Sequence, residues 1–279
     1  MRDDFARGEG WYAHVAGPED NDALLHVLRG VPMGGAVVTA QERAPDFFAW
    51  LAAQGGAAEA GLVRSTRDDA PIGLGTSVVR DAFLPDGSVG PLGYIGDIRV
   101  IPSWRRARVV PELGRGSLAR LRRLYGVELC TMAVADANVP VRQAAVSRSP
   151  ARAPQPIAAP ISRYAMVCVL GRRRHPAAAR VERATTADLD EVAGFLDAGQ
   201  RARVLGEPVP RKRLEERFAA WPGLRPGSFL LARDANGTLA GCAAPWDASP
   251  VRRMRVVEYH GALRAMRPAL GLLSRLRGM

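Results

Sequence analysis

Two periodicities alternate along the chain. LVRST (62–66) and IGLGTSVV (72–79) place apolar residues at strand spacing, whereas residues 111–125 place them three and four apart, as one face of an amphipathic helix requires. GYIGDIRV (93–100) reads as a buried strand that hands over to that helix through a turn crowded with arginine. Further strands are predicted over 127–135 and around 163–170, with a short helix after Asn138 between them. The first pair of runs, joined by DDAP, forms a hairpin. FLLAR and TLAGCAA (229–233 and 238–244), joined by DANG, form another, in which Asn236-Gly237 supplies the positive backbone angles of a tight turn.

The two hairpins belong to a longer repeat. VAGPEDNDALLHVL (15–28) lies without gaps over RATTADLDEVAGFL (183–196), so that Asp20 meets Asp188, Leu24 meets Val192 and Leu28 meets Leu196 at an offset of 168. The hairpins keep that offset, Leu62 matching Leu230, Val63 matching Leu231 and Gly73 matching Gly241. Each copy reads as a strand, a polar turn whose Asp caps a helix, the helix, and then the hairpin. LGRRRHPAAAR (170–180) has the composition of an exposed connection, which gives a domain over 10–170, a linker at 171–180 and a second, partial domain over 181–279.

Composition narrows the class. Hydrophobic residues make up 47% and charged residues 24% of 279, and neither a membrane span nor a signal peptide is legible, so a cytoplasmic location is expected. Cys130, Cys168 and Cys242 are dispersed and read as reduced, buried thiols, while His14, His26, His175 and His260 lack metal-ligand spacing. The net charge of +11 raises nucleic acid as a partner. Lys212 is the sole lysine in an Arg- and Ala-rich chain, a bias a GC-rich genome produces by itself, and the basic surface is read as solvated.

GYIGDIRVIPSWR (93–105) and VADANVPVRQAAV (134–146) resemble the central strand with its pyrophosphate loop, and the later strand with its helix-opening Asn, of the GCN5-related N-acetyltransferase superfamily. ERAPDFFAW (42–50) is similar to a segment of its bacterial tandem-domain members. The resemblance implies an α/β fold with a mixed α+β sheet, acetyltransferase-like, one complete domain followed by an incomplete copy. It implies acetyl-CoA as co-substrate, an amine acceptor, and attack of that amine on the thioester.

The backbone of Ile98, Arg99 and Val100 would face the acyl-pantetheine arm, and the loop Arg105, Arg106, Ala107, Arg108, Val109, Val110 would meet the pyrophosphate. Asp97 is the candidate general base or else a structural acceptor. Asn138 holds the cofactor or is a plain N-cap. The loop departs from the family pattern, because Arg108 and Val110 replace small residues and Gly114 and Gly116 fall inside the predicted helix. A positive backbone angle at Arg108 would be strained, and its side chain either fills the phosphate space or grips the phosphate with a forked hydrogen bond. Ala144, Ala145 and Val146 stand where a thiolate-protonating tyrosine is usual, leaving that proton to solvent. The rival expectation is a degenerate scaffold that binds acyl-CoA or a protein without turnover.

Overall fold

The computed structural model describes residues 3–35, 37–136, 138–139, 141–142, 158–163, 180–265 and 268. The strand expected over 163–170, residues 144–146, Cys168 and His175 therefore lie outside the described residues, apart from Arg163. Contacts group the chain into two compact units. The first draws on Met1–Val31, Gln41–Met132 and Ala177–Arg253, the second on Pro32–Ala40, Ala133–Pro176 and Met254–Met279.

The first unit is built on a sheet of β1 (Asp4–Gly8), β2 (Trp11–Val15), β4 (Ala57–Ser65), β5 (Pro71–Phe83), β6 (Val89–Val100) and β7 (Leu129–Thr131), in that order across the sheet. β3 (Val37–Glu42) lies apart, paired with β11 (Arg253–Tyr259). Neighbours run antiparallel except β6 and β7, so the sheet is mixed, as expected. β7 is shorter than the predicted strand because its pairing with β6 stops at Tyr94↔Thr131.

Each face of the sheet is covered by helix. Leu24, Leu28, Phe47 and Leu51 of α1 (Asn21–Gly30) and α2 (Phe47–Gln54) pack on Leu62 and Leu74. Val109, Leu113 and Leu121 of α3 (Val109–Tyr125) pack on the other side. Burying each such side chain contributes about 1.5–3 kcal/mol. Among the described residues no helix is long and apolar enough to cross a membrane.

Gly114 and Gly116 both sit inside α3, and only one of them is there for space. A Cβ on Gly116 would lie 2.5 Å from the Phe5 carbonyl oxygen and 2.9 Å from Ala6 Cβ, whereas one on Gly114 would meet nothing within 4 Å. Gly116→Val is expected to push β1 off the helix at a cost of roughly 1–3 kcal/mol. Gly114→Ala should instead stabilise by about 0.5–1 kcal/mol, since only helix propensity changes. Urea midpoints of the two variants moving the same way would refute this account.

The repeat holds element by element. The 3₁₀ turn Pro18–Asp20 recurs as Thr186–Asp188, and α1 recurs as α4 (Leu189–Arg201). β2, β4 and β5 recur as β8 (Arg180–Arg183), β9 (Leu230–Arg233) and β10 (Leu239–Ala243), an antiparallel sheet of order β10-β9-β8. Leu24 and its counterpart Val192 are both 0% exposed, as are Val63 and Leu231. Among the described residues β10 has no further strand beside it.

The copies also touch where equivalent helices meet. The Trp221 indole on the rim of α5 (Arg211–Ala220) donates to the carbonyl of Ala53, the residue 168 places earlier. A residue meeting its own counterpart is what an approximate twofold relation between copies produces.

Two local expectations need correction. Asp20 and Asp188 do not cap the helices that follow them; each turns back to accept from a backbone N–H three residues upstream, Gly17 at 3.4 Å and Thr185 at 2.7 Å. In the DANG loop only Gly237 has positive φ (83°). Asp234 Oδ1 accepts from the amides of Asn236 and Thr238, which holds the turn without a left-handed Asn236.

Candidate functional site

β6 decides the geometry of the site. In an unbroken strand Ile95, Asp97 and Arg99 would share a face. The register with β5 slips between Leu74↔Arg99 and Thr76↔Gly96, and Asp97 takes φ 51°, which marks a bulge. The inserted residue inverts the alternation. Ile98 joins Ile95 in the core under α3, Val100 packs there beside Val109 and Leu113, and Arg99 lies opposite Leu74 on the α1/α2 face. The apolar spacing Ile95, Ile98, Val100 was the sequence signal for this insertion.

On the α1/α2 face the bulge hands Asp97 to Arg43. Arg43 Nη2 donates to Asp97 Oδ2 at 2.6 Å, and the Thr76 hydroxyl donates to the same oxygen at 3.2 Å. Asp97 Oδ1 has no partner among the described residues. The Arg43 side chain is wholly buried, donates also to Gln41 Oε1 at 3.0 Å, and lies over the Phe47 ring at 4.9 Å. Burial pushes its guanidinium pKa down, with Asp97 pulling against that shift. Nothing near Arg43 in the sequence announces this role. The partnership spans 54 residues and appears only in the fold.

Beyond Tyr94 the two parallel strands stop pairing, so among the described residues Ile95 to Val100 has no neighbour on the β7 side. That stretch leads into the loop. Trp104, Arg105 and Ala107 donate their amides to Ile101, Pro102 and Trp104 at 3.0, 3.4 and 3.1 Å, and Glu112 donates to Arg108 at 3.3 Å. The amides of Arg106, Arg108, Val109 and Val110 have no acceptor among the described residues. Free N–H groups at the positive end of a 17-residue helix are suited to receive an anion.

Arg108 occupies the left-handed region, φ 53° and ψ 22°, where the family pattern has glycine. This costs on the order of 1 kcal/mol. Its side chain is 65% exposed and turns outward, with Nε 3.7 Å from Glu112 Oε1. Arg105 and Arg106 are exposed beside it, and Arg105 Nε reaches back to the Val100 carbonyl at 3.5 Å. Val109 is the exception among the predicted loop residues, because its side chain is buried in the core and only its amide faces the site. Trp11 is buried and donates its indole N–H to the Ala107 carbonyl at 3.1 Å, tying the loop to β2. Asn138 belongs to the second unit, where it is exposed and its carbonyl accepts from the Arg142 amide at 3.1 Å, opening a helical turn.

No protein-family model matches the sequence, and no curated protein matches it. Among solved structures, N-myristoyltransferase from Saccharomyces cerevisiae with bound myristoyl-CoA is similar at a TM-score of 0.51 and 13% identity, over 82% of this chain and 58% of that one. An acetyltransferase from Trypanosoma brucei is similar at a TM-score of 0.39 and 16% identity, over 57% of this chain and 99% of that one. An aminoglycoside 6'-N-acetyltransferase from Acinetobacter baumannii follows at 0.38 and 11%, over 57% and 100%. The chain thus spans a little over half the length of the yeast enzyme, and at this identity the likeness concerns fold alone. The bulged central strand, the parting of β6 from β7 and the loop at the start of α3 lie within a fold like that of the yeast acyltransferase.

Proposed function

We propose that the chain transfers an acetyl group from acetyl-CoA to a primary amine. The observation that carries this reading is the set of four unpaired amides at Arg106, Arg108, Val109 and Val110, at the head of α3, with the Arg108 side chain turned away from them. The pyrophosphate of the coenzyme would accept from those amides, with Arg105, Arg106 and Arg108 supplying charge around Ala107. The pantetheine arm would run along the backbone of Ile98, Arg99 and Val100.

In the chemical step the amine nitrogen attacks the thioester carbonyl carbon. The C–N bond forms, the C–S bond breaks, and the electron pair leaves on sulfur. Asp97 Oδ1 receives the proton lost by the amine, and solvent protonates the departing thiolate. Thr76 and Arg43, both bonded to Oδ2, hold the carboxylate in position.

A second reading is a scaffold without turnover. Glu112 favours it, because a carboxylate in the first turn of α3, already paired with Arg115, competes with a phosphate for the same amides. Acetyl-CoA titrated to 100 times its dissociation constant should stabilise the protein by about 2.7 kcal/mol, and thiol should be released when an acceptor amine is added. Arg108→Gly should add about 1 kcal/mol by removing the left-handed strain and should weaken the acetyl-CoA response without abolishing it. Stabilisation without thiol release from any amine selects the scaffold. No melting shift at millimolar acetyl-CoA, in either protein, ends the acyl-transfer reading and leaves only a scaffold that binds a protein.

A further inference from the structure

Three arginines crowd the α1/α2 face of β6 around one carboxylate. Arg43 is neutralised by Asp97, yet its Nε and Nη1 are buried without a partner among the described residues. Arg99 stands next to the bulge, and the only hydrogen bond of its guanidinium among the described residues is to the neighbouring Ile98 carbonyl at 3.0 Å. The Arg252 guanidinium lies over the Trp50 ring, 4.7 Å from its centroid, and has no carboxylate partner among the described residues. Burial depresses the guanidinium pKa of Arg99; Asp97 opposes that shift and Arg252 adds to it, as Arg252 also does at Arg43. Like charges held this close in a half-buried site repel, and one Asp offsets only one of the three.

An oxyanion resolves this imbalance. Carboxylates and phosphates accept two parallel bonds from a guanidinium, and each charge-assisted bond is stronger where water is thinned. The position is also informative, because Asp97 Oδ1 stands free on the same face and suits an ammonium.

We propose that the acceptor amine also carries an oxyanion, a carboxylate or a phosphate, which binds between Arg99 and Arg252 while its amino group meets Asp97. This rests on the acyl-transfer reading, and it narrows the substrate to zwitterionic amines such as amino acids or phospho-amines. The transfer itself is unchanged: nitrogen gains the acetyl carbon, the thiolate leaves, and the oxyanion takes no part in bond making.

The test uses the full chain in two arms. In the first, acetate, inorganic phosphate and chloride are compared at equal ionic strength by thermal shift, on the wild type and on Arg99→Gln, Arg252→Gln and Arg122→Gln. Acetate or phosphate should stabilise the wild type beyond chloride. The increment should fall in the Arg99 and Arg252 variants and persist in Arg122→Gln, which alters an exposed arginine outside both sites. In the second arm, amino acids are compared with their amides, and phosphoethanolamine with ethanolamine, as acceptors with acetyl-CoA. The oxyanion-bearing member should have the higher kcat/KM by about tenfold or more, the worth of one charge-assisted hydrogen bond, and Arg252→Gln should erase the preference. Which pair responds identifies carboxylate or phosphate.

Equal rates within both pairs, with acetyl-CoA turning over, overturn the inference and leave acyl transfer standing. If acetyl-CoA does not bind, the acyl-transfer reading fails, and the anion increments still decide the cluster: their absence, or their survival in Arg99→Gln and Arg252→Gln, overturns it.

Discussion

Asp97→Ala should lower the stability of the protein by roughly 3–5 kcal/mol, because it leaves the wholly buried Arg43 guanidinium without its counterion. Alanine also fits the left-handed bulge poorly, which adds about 1 kcal/mol. Asp97→Asn separates the two effects, since asparagine tolerates that conformation and can still accept from Thr76 and Arg43. It should cost less in stability than alanine while lowering kcat by about 10²–10⁴, the loss that the proposed transfer requires when its proton acceptor is removed. Arg43→Leu combined with Asp97→Ala should recover much of the stability lost in Asp97→Ala alone, since an apolar replacement of a buried pair leaves no orphaned charge. Guanidinium midpoints of the three variants and the wild type form the measurement. A loss below 1 kcal/mol in Asp97→Ala would mean that Arg43 does not depend on this carboxylate.

That pair also shows where sequence reading stopped. The repeat was legible because burial is written into side-chain identity: Leu24 and Val192, or Val63 and Leu231, are apolar in both copies for the same packing reason. Helix α3 was legible through its spacing, and the left-handed angle at Arg108 through the glycine of the family pattern. The bulge was written less plainly. Its trace is the three-residue step from Ile95 to Ile98, and without the β5 register nothing says that Asp97 and Arg99 then turn toward α1 and α2. Arg43 left no trace at all, since a contact formed across 54 residues depends on where α2 and β6 finally lie. The direction of the Arg108 side chain was equally unreadable. Its i,i+4 relation to Glu112 was present in the sequence, but plugging the loop and facing solvent were both compatible with it.

The two copies allow one more result to be stated in advance, from a single substitution made twice. Asp20 and Asp188 occupy the same place in the repeat and close the same 3₁₀ turn, but only Asp20 is buried. It accepts from His14 Nε2 and from Arg64 Nη2, each at 2.8 Å, whereas the corresponding end of the second copy is a surface network in which Arg233 binds Glu182 and Glu191. Asp20→Ala should therefore cost roughly 3–5 kcal/mol, and Asp188→Ala much less, because water can replace what it loses. The acid limb supplies an independent check. Burial alone would raise the Asp20 pKa, but the bonds from Arg64, His14 and Gly17 outweigh it and hold the carboxyl below its ordinary 3.8. A carboxyl lowered on folding stabilises fully above the unfolded value and loses that contribution as pH falls through the folded one. The gap between wild type and Asp20→Ala should thus narrow as the pH falls below about 4. A gap that widens below about pH 4, or equal losses from the two alanine variants, would show that burial does not distinguish the copies at this turn.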